Sequence, residues 1–269
     1  MVPPNNLPMS NNLRLTFFGT SAGFPTAVRH HTTTIGLWRG GNHPTPSEVE
    51  GTGDALYLFD CGDGAAGQFA CLGIPPDAVR ALFITHLHAD HVGGLAALLQ
   101  WMQLNRRTAP LTIYAPAHSI PGLQDYLRLV YLFPMDRFPL EFRPVSTGTV
   151  HQETGLEVAA LHSHHLEGSE AFSYLVSADS KTIYFSGDLG GPEEAAKQAD
   201  GVEVAVVELA HFTAEELGAA LSASGLLRLI ITHINDDFEP FEDEIPQRLR
   251  SMGFEGEIII ATDGLEVDL

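Results

Sequence analysis

The chain has 269 residues, of which 44% are hydrophobic and 18% are charged, and its formal net charge at pH 7 is −20. This composition is sufficient for a large core and indicates a solvated, acidic surface. It argues against tight binding to a nucleic-acid backbone, which needs Lys and Arg to displace counterions. Two cysteines, Cys61 and Cys71, are too few for a disulfide framework.

The N-terminal residues 1–12, "MVPPNNLPMSNN", have neither the basic start nor the apolar stretch of a signal peptide. We predict a flexible leader there and a single domain over residues 13–269. No run approaches the roughly 18 apolar residues of a membrane-spanning helix, so we expect no membrane association and a cytoplasmic protein. Residues 39–54, "RGGNHPTPSEVEGTGD", are rich in Gly, Pro and polar residues and predict a mobile surface loop.

Strands and helices are interleaved along the rest of the chain, which indicates an α/β class with layered sheets and helices. A capping box from Thr213 to Glu216 marks the start of one helix. The predicted strands are 13–20, 32–38, 55–60, 79–85, 111–116, 156–163, 171–177, 181–188, 202–209, 227–233 and 257–263. Residues 61–73 are predicted to form a turn that leads into a helix, and further helices are predicted over 93–104, 122–133, 192–199, 213–224 and around 245–252.

Several apolar strands end abruptly in polar clusters. The junctions are "FITHLHADH", "YFSGD", "VVELAH" and "IITHIND". Functional residues are often found at strand ends, because the sheet fixes their position while the following loop exposes them. We therefore expect the four strand ends to gather at one edge of the sheet stack.

The stretch "THLHADHVGG", residues 85–94, places His86, His88, Asp90 and His91 within six positions. Neutral imidazole nitrogens and carboxylate oxygens suit zinc, manganese or iron. The structural alternative is a polar helix start with Asp90 as its N-cap. Three histidines and an aspartate at this spacing favour metal binding.

Further ligands are available later in the chain. Asp188 follows a small Ser-Gly turn in "YFSGDLG", His233 lies at a strand end in "IITHIND", and "LHSHHLEGSEAFSY" offers His162, His164 and His165. Each of these signals alone is also compatible with an ordinary turn, a structural histidine or a polar loop. Their occurrence together, in this order, favours a metal centre.

This order of motifs resembles the metallo-β-lactamase fold superfamily, and within it the ribonuclease Z-like branch. "FFGTSAGFPT" at 17–26 is similar to that branch's opening strand and turn, and "LFDCGDGAAGQ" at 58–68 resembles its DCGEGTQ segment. "FITHLHADHVGGL", "EAFSYLV", "THIND" and "ATDGLEVDL" extend the match over residues 13–269. The resemblance implies a four-layer αββα sandwich and a metal-dependent hydrolase acting on ester bonds.

The resemblance also implies two divalent metal ions, with zinc expected and manganese or iron as alternatives. His164 competes with His165 for the ligand position of the third motif. The implied ligands are His86, His88 and His165 for one metal, Asp90, His91 and His233 for the second, and Asp188 as the bridge between them.

Three residues are implied to be catalytic. Asp90 would accept a proton from the attacking water, while Glu208 and His211 in "VVELAHFTAEEL" resemble the family's relay that serves the leaving group. The alternative for Glu208 and His211 is a helix start with polar surface groups. Asp60 either orients a ligand imidazole or closes the turn in "FDCGDG".

The expected substrate follows from a departure from the family. Ribonuclease Z that processes tRNA carries a long basic arm before "SGD", whereas here only "SADSK" separates "FSYLV" from "TIYFSGD". With the net charge of −20, this argues against tRNA. It favours a phosphodiesterase that acts on small or cyclic phosphodiesters by attack of a metal-activated hydroxide.

Three alternatives stay open: a tRNA 3′-processing ribonuclease Z without its arm, a hydrolase of lactones, thioesters or sulfate esters, and a metal-binding sensor module without catalysis. A homodimer is compatible with the resemblance. Residues 39–54 and the loop around Phe133–Arg143 are the two candidates for covering the site.

Overall fold

Two mixed β-sheets organise the residues that the computed structural model describes, 13–40 and 54–269. In this part of the chain each sheet has seven strands. The first sheet has the order β14 (Glu266–Asp268), β1 (Leu13–Gly19), β2 (Thr34–Arg39), β3 (Ala55–Phe59), β4 (Val79–Phe83), β5 (Leu111–Pro116) and β6 (Leu140–Val145). The second has the order β13 (Glu257–Ile260), β12 (Arg228–Ile234), β11 (Val204–Leu209), β10 (Lys181–Phe185), β9 (Ala171–Ala178), β8 (Leu156–Ser163) and β7 (Gly148–Glu153).

The alternation of side chains along the strands explains why the sheets stack face to face. In β1, Phe17 packs in the core between the sheets, whereas its neighbour Phe18 packs against the outer layer. In β10, Phe185 faces inward and Tyr184 outward. Phe59 and Phe185 stack across the two sheets with ring centroids 3.9 Å apart. Because central strands such as β1, β3 and β11 bury both of their faces, both sheets need a covering layer of helices.

The helices supply those two outer layers. The helices α1 (Ala65–Cys71), α3 (Leu95–Leu104) and α4 (Ile120–Leu129) pack on the first sheet. The helices α5 (Pro192–Ala199), α6 (Ala214–Leu221) and α7 (Ile245–Ser251) pack on the second. The short α2 (Ala89–Val92) and the 3-10 helices Ala117–Ser119 and Glu239–Glu244 complete the described elements. The predicted four-layer αββα sandwich is confirmed, as is the capping box of Thr213 and Glu216.

Parallel pairing brings the site-bearing strand ends to one edge. The strands β3 to β6 run parallel to one another, and so do β10 to β13. Carboxyl ends of parallel strands lie on the same side of a sheet, where ligand sites usually form. The residues that follow β4 and β10 and His233 near the end of β12 approach one another at this edge, as predicted.

Some predicted boundaries and loops were wrong. The helix predicted over 122–133 begins earlier, at Ile120, and ends at Leu129, because Tyr131 adopts a left-handed backbone conformation with φ 60°. The end of the segment 133–143 is not a loop, since β6 pairs there with β5. The sequence did not signal β6, β7 or β14, which are sheet-edge strands with many exposed polar residues.

Two of the predictions concern residues outside the described part of the chain. The predicted leader, 1–12, lies outside the described residues, as does most of the loop predicted for 39–54. Of the helices described, none combines the length and the apolar character required to cross a membrane.

Arg29 is a fully buried cation that links the segment after β1 to the 3-10 helix Glu239–Glu244. Its guanidinium donates to Thr20 Oγ1 at 2.6 Å and to the Ala261 carbonyl at 2.5 Å, and it pairs with Glu242 at 2.8 Å. Removing one partner of a buried ion pair typically destabilises a protein by about 3–5 kcal/mol. We expect Arg29→Met to lower the free energy of unfolding in urea by about 3 kcal/mol.

Arg128→Met is the matched control for this substitution. Arg128 pairs with Asp125, and the two side chains are 49% and 74% exposed. Such surface pairs contribute roughly 0–1 kcal/mol. Equal effects of the two substitutions would contradict the role assigned to Arg29.

Candidate metal centre

Three groups of side chains with metal-binding chemistry meet at the edge of the sandwich; two of them, the ligand groups, contain the seven residues predicted to hold metal, and the third is Asp188, Glu208 and His211. Within each group, the ligand atoms lie within 4.8 Å of one another. The structure therefore brings together all seven residues predicted to hold metal, while their role as ligands stays a prediction. The first group is His86, His88, His165 and Asp188, and the second is Asp90, His91 and His233.

Asp188 lies between the two groups and turns one carboxylate oxygen toward each. Its Oδ2 is 3.6 Å from Nε2 of His86 and 3.5 Å from Nε2 of His165. Its Oδ1 is 3.2 Å from Nε2 of His91 and 3.1 Å from Nε2 of His233. Burial disfavours the charged carboxylate, but His233 and His91 beside it lower the pKa of Asp188 well below its usual value. This geometry is the one expected of a bridging ligand.

The backbone around the motif positions these side chains. His88, in an extended conformation, is the N-cap of α2, so the alternative in which Asp90 caps the helix is wrong. The Asp90 carboxylate instead accepts a hydrogen bond of 2.8 Å from the Gly23 amide. Before Asp188, a Cβ on Gly187 would lie 2.8 Å from the Thr85 side chain, so this close approach requires glycine.

The structure distinguishes His165 from His164. The His165 side chain is 8% exposed, and its Nε2 lies 3.2 Å from Nδ1 of His88. The His164 side chain is 76% exposed and lies beside Glu194 instead. Of these two neighbours, only His165 reaches the ligand cluster.

Asp60 orients two of the imidazoles through contacts on the side of each ring that faces away from Asp188. Its Oδ2 accepts a 2.7 Å hydrogen bond from Nδ1 of His91, and its Oδ1 accepts one of 2.8 Å from the Thr85 amide. The Thr85 hydroxyl also bonds to Asp60 and lies 3.0 Å from Nδ1 of His86. These bonds leave Nε2 of both histidines facing Asp188. Such carboxylate–histidine pairs fix the tautomer and the ring orientation of metal ligands.

Replacing Asp60 by asparagine tests this positioning role. Asp60 has a left-handed φ of 60°, which asparagine tolerates well, so Asp60→Asn should leave the fold intact. We expect the zinc affinity to fall about 10- to 100-fold, because His91 loses its charged partner. Competition with a chromogenic chelator measures this affinity. Asp63→Asn, at an exposed position of the same turn, should leave it unchanged, and similar affinities for the two variants would contradict the assignment.

Unsatisfied buried atoms provide a test of whether these residues fit a metal. Nε2 of His86, Nε2 of His91 and Oδ1 of Asp188 are buried and have no well-formed hydrogen bond to other described residues. Native proteins rarely leave such atoms unsatisfied. Burial lowers the pKa of His86 and so favours its neutral, metal-binding form. Divalent cations would satisfy these converging atoms, and the nitrogen and oxygen donors suit zinc, manganese or iron.

Glu208 and His211 form a hydrogen-bonded pair next to the two ligand groups. Glu208 is fully buried, so the alternative of a polar surface group is wrong for it. Its Oε2 accepts hydrogen bonds from Nδ1 of His211 at 2.7 Å and from the amides of Ala210 and His211, while Oε1 accepts one from Leu189. The hydrogen bond to Glu208 raises the pKa of His211. The His211 ring lies beside that of His165, with ring centroids 4.6 Å apart.

A cavity of about 300 Å³ opens over this arrangement. Asp90, Asp188 and His211 line it, together with Phe24 and Asp236. Residues 133–143, one of the two segments expected to cover the site, do not line this cavity.

The sequence did not identify three residues that complete the site. Thr85 is the last residue of the predicted strand and the first of the motif, but nothing in the sequence shows that it bridges Asp60 and His86. Gly23 contributes a backbone amide, which has no sequence signature. The exposure of Phe24 at the cavity depends on the tertiary path of the segment after β1.

The layered fold and the clustered histidines and carboxylates define a protein of the metallo-β-lactamase type. A family model described as a beta-lactamase superfamily domain matches residues 56–234. The chain belongs to this superfamily and is a hydrolase of the metallo-β-lactamase fold.

Relatives and solved structures agree with this classification. The chain is 28% identical to a ribonuclease Z of Methanothermobacter thermautotrophicus over 86% of this chain and 89% of the relative. It is 35% identical to a ribonuclease BN of Erwinia tasmaniensis over 57% of this chain and 46% of that protein. The fold is similar to that of YhfI from Bacillus subtilis, with a TM-score of 0.76, 17% identity and 96% and 99% of the two chains covered. It is also similar to the short form of human tRNase Z, with a TM-score of 0.68, 19% identity and 94% and 98% covered.

Proposed function

We propose that this hydrolase cleaves small or cyclic phosphodiesters at a centre with two divalent metal ions. The observation that carries the proposal is the pair formed by the buried Glu208 and the more exposed His211 beside the ligand groups. Cleavage of a phosphodiester releases an alkoxide, which needs a proton, and His211, which lines the cavity, would supply it. Nδ1 of His211 is engaged by Glu208, so Nε2 is the atom available to the leaving oxygen.

The remaining roles follow from the contacts. When bound, the metal ions would activate water and neutralise charge on the phosphoryl oxygens. Asp90, oriented by the Gly23 amide, would accept a proton from the attacking water. The proposed ligands are His86, His88 and His165 for one ion, Asp90, His91 and His233 for the other, and Asp188 between them.

Two features of the site's surroundings support a small substrate. Only Asp179 and Ser180 connect β9 to β10, so no arm extends there. The exposed Asp236 lines the cavity, and the chain as a whole has a net charge of −20. Like charges at the rim disfavour a long phosphate backbone.

Processing of tRNA is the second candidate. The 28% identity to a ribonuclease Z over most of both chains favours it. The acidic rim of the cavity argues against this candidate, because it repels the phosphate backbone of a tRNA. Basic side chains next to the cavity would be needed to offset that repulsion.

A substrate panel discriminates these functions. We expect bis(p-nitrophenyl) phosphate and 2′,3′-cyclic AMP to be hydrolysed by the zinc-loaded protein with a higher kcat/KM than a precursor tRNA, an aryl lactone, a thioester or an aryl sulfate. A higher kcat/KM for the precursor tRNA would establish the second candidate. Bound metal without turnover of any ester would indicate a sensor module.

A further inference from the structure

Phe24 is an aromatic side chain that the proposed mechanism does not use. It is 56% exposed and lines the cavity together with Asp90 and His211. Within residues 13–40 and 54–269, neither an aromatic ring nor a cation packs against its ring. What distinguishes Phe24 from other exposed aromatic residues such as Tyr131 and Phe241 is its position at the cavity, where its ring offers an apolar surface to a bound group.

The segment that carries Phe24 is held at several points. The Gly23 amide donates to Asp90, and the buried Ser21 hydroxyl donates to the Phe24 carbonyl at 2.6 Å. On the other side, the Thr26 amide donates to the carbonyl of the buried Arg29 at 2.7 Å. These bonds fix the backbone on both sides of Phe24. A ligand that packs on the ring would therefore lose little free energy in ordering this segment.

We propose that Phe24 is a specificity-determining residue that stacks on a planar aromatic group, a nucleobase or an aryl ring, of a small phosphodiester. This inference rests on the proposed function and names its substrate class. The cavity of about 300 Å³ is at the small end of ligand sites, so it suits one ring and one phosphoryl group. Stacking on a neutral ring is also compatible with the exposed carboxylate of Asp236 at the cavity, which repels only the anionic part of the ligand.

Binding of two product-like ligands tests the stacking directly. Adenosine 5′-monophosphate and ribose 5-phosphate carry the same phosphate and differ in the base. Calorimetry with the zinc-loaded wild-type protein should show about tenfold tighter binding of the nucleotide, the usual effect of stacking one base. Phe24→Ala should reduce this ratio toward one, and Phe24→Trp should maintain it.

Val28→Ala is the matched control. Val28 is 62% exposed on the same segment and does not line the cavity, so this variant should keep the wild-type ratio. An unchanged ratio in Phe24→Ala, or a wild-type protein that does not prefer the nucleotide, would overturn the inference. The second outcome includes the absence of measurable binding of either ligand.

A kinetic comparison separates this inference from the proposed function. Bis(p-nitrophenyl) phosphate and methyl p-nitrophenyl phosphate have the same leaving group and differ in the group that stays. The ratio of their kcat/KM values should fall about tenfold in Phe24→Ala. If the wild-type protein hydrolyses neither ester, the proposed function is contradicted. If wild type and Phe24→Ala hydrolyse the two esters with the same ratio of kcat/KM values, only the stacking inference is contradicted.

Discussion

Asp188→Ala should eliminate stoichiometric metal binding and reduce kcat/KM for bis(p-nitrophenyl) phosphate by about 10³-fold or more. The physical reason is that, among the described residues, Asp188 alone presents an oxygen to both ligand groups, within 3.6 Å of His86 and 3.1 Å of His233. Metal ions contribute several kcal/mol of transition-state stabilisation, and each 1.4 kcal/mol is about tenfold in rate. The metal content, measured by elemental mass spectrometry, and the rate of hydrolysis should therefore fall together.

Two further variants make this result interpretable. Asp188→Asn keeps the size of the side chain, and its thermal unfolding would show whether loss of metal is a consequence of misfolding. His164→Ala removes a histidine that is 76% exposed beside the cluster but outside it, so metal content and turnover should persist. Full turnover by Asp188→Ala without bound metal would contradict the proposed mechanism.

His211→Ala should keep both metal ions and slow turnover in proportion to the basicity of the leaving group. For an alkyl leaving group we expect a loss of about 10²- to 10⁴-fold, the usual contribution of a positioned acid or base. For p-nitrophenolate, which departs without a proton, the loss should be much smaller. A plot of log kcat/KM against leaving-group pKa should therefore be steeper for the variant than for wild type.

Glu208→Gln should produce a weaker form of the same pattern, since glutamine can still accept a hydrogen bond from Nδ1 of His211 but carries no charge. His118→Ala is the control, because His118 is a half-exposed histidine whose partner is Glu170. A uniform loss of rate for all leaving groups in His211→Ala, or loss of metal, would show that His211 acts as a ligand or a packing residue.

Much of the fold could be predicted because apolar runs and turn residues determine it locally. The strands β1, β3 and β5 are apolar and bounded by polar turns, and the capping box of Thr213 identifies the start of α6. The exposed edge strands β6 and β7 could not be recognised in this way. Their polar residues resemble a loop, and only pairing with β5 and β8 makes them strands.

The candidate site was predictable in composition but not in geometry. The spacing of "HLHADH" and its order with Asp188 and His233 indicate a metal centre. The choice of His165 over His164 depends on how the loop after β8 turns, and the sequence leaves both open. The contact from Gly23 to Asp90 joins residues far apart in the chain, so only the folded structure reveals it.

Adding zinc back to chelator-treated protein, while the turnover of bis(p-nitrophenyl) phosphate and the bound metal are both followed, tests the central claim most directly. If the two ligand groups hold one metal ion each, the stripped protein should show no turnover. Full turnover should return only when about two equivalents of zinc are bound per chain. Turnover that persists in protein shown to be free of metal, or zinc that binds stoichiometrically without restoring any hydrolysis, would contradict a two-metal phosphodiesterase.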